Sequence, residues 1–510
     1  GLVGSEMCIR DRIRAIGQPG SDLQHLGQVS QRYDLKGKVV WPGLTDAHIH
    51  LTRYGLNLQI VNCDTSSRQE CLDRVEQVAS MARHNDWVIG HGWNQNEWPE
   101  GYGTATLLDA VSHNHPVYLT AKSLHAVWAN TQAMEQAGIR ADSYDIADGH
   151  IVRDASGNPN GIFLEAAGNL IAQAIPKPTS QEIELAILEG MRSLIRMGIT
   201  SVHDFDSLDR LENYKRIAGE GRLRLHILKG IPPEDHQTAL SSGLYSGMGN
   251  GLIHIGPYKF FMDGALGPHT AALLEPYNDD PANSGMLTHT SEEIVEISKM
   301  ILSKASDLAI HAIGDRANQE AIEAYRTIRM NEATTGQKPA RLRIEHAQLL
   351  SCGNLKDFKE LDITASMQPL HATSDMNMVD RYWGDRKQLS YAWKSLLDNG
   401  ARLVFGSDAP VESPNPFWGL HAAVTRQKVS DFPAKESWVP NQRITLQSAL
   451  DAYTTNPAAI SRVKSANGKL VPGSQADLIL LEIDPFTVSY THLRAHETVL
   501  DLVCRLLLEK

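Results

Sequence analysis

Two histidines two residues apart, His48 and His50, close a β-rich run that begins at Val39. Side chains at i and i+2 of a strand share a face, so both imidazoles are expected to point the same way. Neutral imidazole is a good ligand for zinc and similar metals. A His-x-His pair alone reads equally well as core packing. Three more polar groups stand at the ends of short apolar runs: His311 after Leu308-Ala309-Ile310, His346 after Arg343-Ile344-Glu345, and Asp408 after Val404-Phe405-Gly406-Ser407. Lys259 lies within Pro257-Tyr258-Lys259-Phe260-Phe261. Singly, Lys259 reads as a structural ion pair and His346 as a satisfied core histidine. Jointly they point to a metal centre at strand ends, where polar groups of a barrel read as catalytic.

Such a centre needs strands that converge. From Gly198 onward, short β-rich runs alternate with segments of helical period. The runs are Ile199–Phe205, Leu223–Gly230, Pro257–Met262, Leu308–His311, Leu342–His346, Ile363–Gln368 and Leu403–Ser407, and Val39–His50 in front makes eight. Alternating strands and helices imply parallel β/α units, and eight of them an α/β fold of the closed (β/α)8 TIM type. An open doubly wound sheet is disfavoured, because no glycine-rich phosphate loop opens the first unit. Thr179-Ser180-Gln181-Glu182 has the form of a capping box. Ile183, Ile187, Leu194 and Ile195 follow at helical spacing, and Gly198 is placed to end that helix.

The stretch from Gly55 to Lys177 breaks the barrel rhythm. It has strand-like runs of its own, Trp87–Gly90 and Pro116–Ala121, and loops rich in Gly, Asn, Trp and His. It is expected to be an insertion (residues 55–177) capping the barrel mouth. Tyr33–Val40 and Ala476–Leu481 read as strands of a small composite β-sandwich, residues 13–42 with 465–487. The barrel is then 43–54 with 178–464. Residues 1–12, without helical or strand period, and 488–510, after a finished strand, resemble translated adaptor sequence. They are set aside as artefactual tails, which removes Cys8, His492, His496 and Cys504 from any site and implies a chain truncated at both ends.

Composition narrows the classes. The chain has 510 residues, 42% of them hydrophobic, with a net charge of -12. That is enough for a large core, and it lacks the basic face of a nucleic-acid binder. No window nears the roughly 18 uninterrupted apolar residues of a membrane span. Five cysteines without paired spacing suit a reducing compartment, so the expected location is the cytoplasm. A small molecule is the expected partner, with no nucleic acid and no membrane, and a homodimer is among the assemblies allowed.

These motifs resemble the amidohydrolase superfamily, and within it amidohydrolase family 3, which includes N-substituted formamide deformylases. Pro42-Gly43-Leu44-Thr45-Asp46-Ala47-His48-Ile49-His50 looks like the family's opening signature, and Lys259-Phe260-Phe261-Met262-Asp263-Gly264-Ala265-Leu266-Gly267 is similar to its strand-four motif. His311-Ala312-Ile313-Gly314-Asp315, Glu345-His346-Ala347-Gln348 and Gly406-Ser407-Asp408-Ala409-Pro410 resemble strands five, six and eight. In the insertion, His125-Ala126-Val127-Trp128-Ala129-Asn130 and Gly161-Ile162-Phe163-Leu164-Glu165 match too. The likeness covers residues 35–485. It implies two divalent ions, zinc by expectation. His48, His50 and Asp408 would hold one and His311 and His346 the other, with Lys259, carbamylated by carbon dioxide, between them.

Zinc lowers the pKa of bound water towards about 7, which makes hydroxide available at neutral pH. A carboxylate beside that water, Asp408, is placed to take its proton and return it to a leaving nitrogen. The expected reaction is hydrolysis of a non-peptide C–N bond, in an amide or N-substituted formamide. Trp93, His125, Glu165, His203 and His371 are candidate substrate contacts. His203 and His371 read equally well as structural, and Trp93, Trp98 and Trp128 slightly better as packing than as pocket lining. Other readings are a mononuclear deaminase with an ordinary Lys259, an ester or lactone hydrolase on the same metals, and a non-catalytic structural relative. Filled ligand positions weigh against the last.

Overall fold

Gly43 divides the first apolar run between two sheets. Val39–Pro42 pairs antiparallel with Leu478–Leu481, whereas Leu44–Ile49 opens a parallel sheet. At the break, the Gly43 N–H donates to the Asp477 carbonyl at 2.8 Å. A Cβ there would sit 2.1 Å from Thr200 Oγ1, so only glycine allows this approach. The computed structural model describes residues 6–9, 12–17, 33–83, 86–95, 98–121, 126–146, 149–430, 436–463 and 468–487. The chain forms two compact units, Gly1–Gly55 with Glu184–Lys510, and Leu56–Ile183.

The first unit holds the barrel. Its strands are β1 (Leu44–Ile49), β2 (Ile199–Asp204), β3 (His226–Ile231), β4 (Ile253–Phe261), β5 (Leu308–Ala312), β6 (Leu342–His346), β7 (Ile363–Met367) and β8 (Arg402–Phe405). Each pairs in parallel with the next, from Asp46 opposite Val202 to Met367 opposite Phe405. All eight expected runs overlap a barrel strand, and besides the split at Gly43 two starts are displaced by more than one residue. β3 begins at His226, because Leu223 and Leu225 are buried by packing and not by pairing. β4 begins at Ile253 and not at Pro257, since Gly249–Asn250 pairs with its first residues.

β1 and β8 share no ladder, and the ring closes just past their ends. Asp408 N–H donates to the His48 carbonyl at 2.7 Å, and His50 N–H to the Ala409 carbonyl at 3.0 Å. Asp46 accepts from Ser407 twice, from its N–H at 3.0 Å and its hydroxyl at 2.6 Å. A Cβ on Gly406 would lie 2.4 Å from the His48 nitrogen, so this seam also needs a glycine.

Helix Ser180–Arg196 follows its capping signal. Thr179 Oγ1 accepts from Glu182 N–H at 3.3 Å, Glu182 accepts in return from Thr179 N–H at 2.8 Å, and Gly198 takes φ +86°. Beside the barrel, Ile13, Val40, Ala476, Leu478 and Leu480 form a small core. Two expectations are corrected there. Residues 33–38 are not strand, because Lys36 and Gly37 turn with φ of +50° and +81°. Residues 6–9, without strand period in the sequence, pair with Arg12–Ile16; backbone pairing to an adjacent strand sets that structure, not side-chain alternation.

The second unit carries a six-stranded sheet in the order Val61–Asn62, Val88–Trp93, Val117–Ala121, Ala126–Ala129, Pro159–Glu165, Gly149–Arg153. Val75, Trp93, Trp98, Leu108 and Trp128 fill its core. Among the described residues, no helix is long and apolar enough to cross a membrane.

Candidate metal centre

The strand ends bring most of the expected ligands together. His48 ends β1, His50 follows it, His311 lies near the end of β5, His346 ends β6, and Asp408 follows β8. One nitrogen each from His48 and His346 and one oxygen of Asp408 lie within 4.8 Å of one another. Asp408 Oδ1 is 3.6 Å from His48 Nε2 and 3.4 Å from His50 Nε2. The His346 ring sits 5.1 Å from that of His48 and 4.6 Å from that of His311. His346, Ala347 and Asp408 have φ of +73°, +45° and +60°. For residues with a Cβ this costs of order 1–3 kcal/mol each, and such strain gathers at functional sites.

Outer partners turn each imidazole. Glu345 Oε2 accepts from His48 Nδ1 at 2.6 Å, and Gln368 Oε1 accepts from His346 Nδ1 at 2.9 Å. The Gly264 carbonyl accepts from His311 Nε2 at 2.9 Å. His50 Nδ1 lies 3.6 Å from Asp206 Oδ1, beyond hydrogen-bond length. Fixing the proton on one ring nitrogen leaves the other as a lone-pair donor. The sequence reading passed over these partners. Glu345 directly precedes His346 and Gln368 ends the run Ile363–Gln368, but no spacing links Asp206 to His50.

The electrostatics suit cation binding. Burial and the Lys259 charge lower His48 to about 4 and His311 to about 3, and burial and His311 hold His346 well below the usual range. All three are therefore neutral near pH 7. Burial opposes a charge on His50, yet Asp206 and Asp408 outweigh it and raise its pKa to about 9. Burial likewise opposes ionisation of Asp408, but His48 and His50 hold it well below the carboxylate range. Glu345, beside Arg343 and His48, is held low against its burial in the same way.

Two lysines are buried on adjacent strands, and they differ. Lys229 is fully paired: Nζ donates to the Gly230 carbonyl at 2.8 Å and to the Asp206 carbonyl, and lies 3.3 Å from Asp204 Oδ2. Lys259 Nζ has no hydrogen bond or ion pair among the described residues. It lies over Phe205 at 4.8 Å and Phe261 at 5.5 Å, and burial lowers its pKa to about 8. Of the two, only Lys259 offers an amine free for modification.

The candidate substrate contacts separate. His371 stacks parallel to His346 with ring centres 6.2 Å apart, and its Nε2 is buried without a partner. His203 faces the barrel interior, where Arg343 donates to its Nδ1 at 3.0 Å. For Trp93 the structure favours packing over substrate contact: the residue is 1% exposed in the core of the second unit, and Nε1 donates to the Leu119 carbonyl at 2.9 Å. Glu165 ends its strand, with a side chain outside the described residues, and His125 lies outside them altogether. The donor set itself fits a divalent cation: three neutral imidazoles, each with one nitrogen not committed to a hydrogen bond, an ionised carboxylate, and His50, whose proton a cation would displace.

Comparison with known proteins agrees. The amidohydrolase family profile (family 3) matches residues 31–503. The chain is 31% identical over 482 residues to YtcJ of Bacillus subtilis (strain 168), covering 92% of this chain and 88% of that protein. It is 27% identical over 481 residues to the N-substituted formamide deformylase of Arthrobacter pascens, covering 90% of this chain and 86% of the relative. A crystal structure of an uncharacterized metal-dependent hydrolase from Pyrococcus furiosus superposes with a TM-score of 0.77 at 27% identity, over 94% of this chain and 95% of that one.

Proposed function

The chain belongs to the amidohydrolase family, and from that premise we propose that it hydrolyses a non-peptide C–N bond of a small molecule, an amide or N-substituted formamide. Metal-dependent hydrolysis is the family's chemistry. The observation that carries the finer reading is the grouping of His48, His346 and Asp408 within 4.8 Å, beside a buried amine at Lys259. A divalent metal, when bound, supplies an activated water and a Lewis acid for a carbonyl. His48, His50 and Asp408 would hold one ion, and His311 and His346 a second. In its neutral form the Lys259 amine would add to carbon dioxide, losing a proton, and as a carbamate Lys259 would help to hold both ions.

Asp408 would move the proton. Its Oδ1 is turned to the two histidines, so Oδ2 would accept the proton of the attacking water and deliver it to the leaving nitrogen. His371, with Nε2 unpartnered, would donate to the substrate. The printed activity of the Arthrobacter pascens relative makes N-substituted formamides the first substrates to try.

The test uses zinc-loaded protein against N-substituted formamides, N-acyl amines, cyclic amides, esters and lactones. Amine release from one of the first three is expected; turnover confined to esters or lactones would remove the C–N assignment. Asp408→Asn should keep most of the metal and lose nearly all turnover, and full activity in that variant would sink the shuttle. The compact three-donor group also favours a second reading, a single ion with an unmodified Lys259. Native mass analysis with metal counting separates the two, since a carbamate adds the mass of carbon dioxide at Lys259.

A further inference from the structure

The four imidazoles are not backed alike. Behind His48 stands the carboxylate of Glu345, accepting from Nδ1 at 2.6 Å, and Arg343 donates to that same carboxylate from below. Behind His50 stands Asp206, with Oδ1 3.6 Å from Nδ1; no other acceptor among the described residues takes that nitrogen. Asp206 is fixed in turn, because its Oδ2 accepts from Thr52 N–H at 2.5 Å. The neighbouring Asp204 accepts from Leu51 N–H at 3.0 Å and Tyr214 Oη at 3.0 Å and pairs with the buried Lys229. β2 and the turn after it thus hold the backbone after His50 and set a carboxylate 3.6 Å from its ring nitrogen.

The other pair has neutral support. His346 is held by the amide oxygen of Gln368, and His311 by the backbone carbonyl of Gly264. Asp263 Oδ1 does come within 3.6 Å of His311 Nε2. That oxygen accepts instead from Ile313 N–H at 3.0 Å, Oδ2 accepts from Gly314 N–H at 2.8 Å and Ala272 N–H at 2.9 Å, and the His311 proton goes to the Gly264 carbonyl.

An imidazole backed by a carboxylate is a more basic and better-oriented donor than one backed by an amide or carbonyl, and loss of such a partner typically costs about 10–100-fold in metal affinity. We propose that Asp206 and Glu345 make the His48–His50 end of the cluster the first to fill with a divalent cation, and that the His311–His346 end is the weaker. This rests on the reading that the cluster holds metal, and it adds an order of filling and the positioning residues that set it.

The experiment is zinc binding to metal-free, full-length protein, read against a competing chelator. Asp206→Asn keeps an acceptor for Thr52 N–H but removes the charge. It should weaken the first ion by about 10–100-fold with an unchanged melting temperature. Glu345→Gln should do the same where the protein remains folded, and Asp206→Asn carries the test where it does not. Gln368→Ala should change the first ion by less than about threefold and weaken the second, if there is one. An unchanged first-ion affinity in Asp206→Asn, or a larger loss in Gln368→Ala, overturns the proposal. A stoichiometry of one would retire the two-ion reading and leave this test standing, because only the first ion is read. Absence of zinc binding altogether would overturn both.

Discussion

His50 differs from its three neighbours in charge. With its pKa near 9 it carries a proton at neutral pH in the metal-free protein, whereas His48 and His311, at about 4 and 3, do not. A metal must displace that proton. The sign follows: below about pH 9 one proton competes with the ion at His50, so affinity should fall about tenfold per pH unit towards pH 6. Calorimetry in buffers of different ionisation heat should find about one proton released by the histidine cluster per first zinc at pH 7. No proton release, with affinity flat between pH 6 and 8, would contradict it. The candidate ligands could be picked out in the sequence because their chemistry lies in residue type and in position at a strand end. Asp206 and Gln368 were not, since what matters about them is which ring they face, and that depends on the register between strands. Trp93 stayed open between two readings for a related reason: an indole fills a core as readily as it lines a pocket, and its burial and hydrogen bond to Leu119 favour the core.

At the level of elements, two glycines decide which sheet each residue joins. Gly43 ends one strand so that the next can enter the barrel, and Gly406 lets the last strand lie against the first. Gly406→Ala would drive a Cβ to 2.4 Å from the His48 nitrogen and 2.8 Å from Asp46 Oδ1. Overpacking of that kind costs about 1–3 kcal/mol, and here the displaced atoms belong to the candidate metal centre. The variant should melt several degrees lower and bind zinc more weakly, while Gly267→Ala, with open space around it, should change neither. Equal behaviour of the two variants would count against the seam. The alternation of runs was enough to anticipate eight strands. It missed the early start of β4, where a proline without an N–H donor looked like a beginning, and it ran two strands together across Gly43.

The two units of the molecule each have a core of their own. Trp128, fully buried in the second, donates from Nε1 to the Thr104 carbonyl at 3.0 Å, and Gly103 leaves the space that its ring occupies. Trp128→Ala should cost about 3–5 kcal/mol in urea unfolding followed by circular dichroism; a loss below about 1 kcal/mol would mean that the ring is dispensable. The second unit was legible as a break in rhythm, but its sheet was not, because three of its five pairings are antiparallel and two parallel, a mixture that no single rhythm announces. The barrel has a different kind of history. The link between Asp46 and Ser407 spans 361 positions of the chain. On a ribosome adding about 5–20 residues per second, His48 and His50 emerge on the order of tens of seconds before Asp408. During that interval they are two of many exposed imidazoles, with nothing to set them apart from the rest. An ion that needs donors from both ends of the chain would therefore find its site only after translation has passed the last strand.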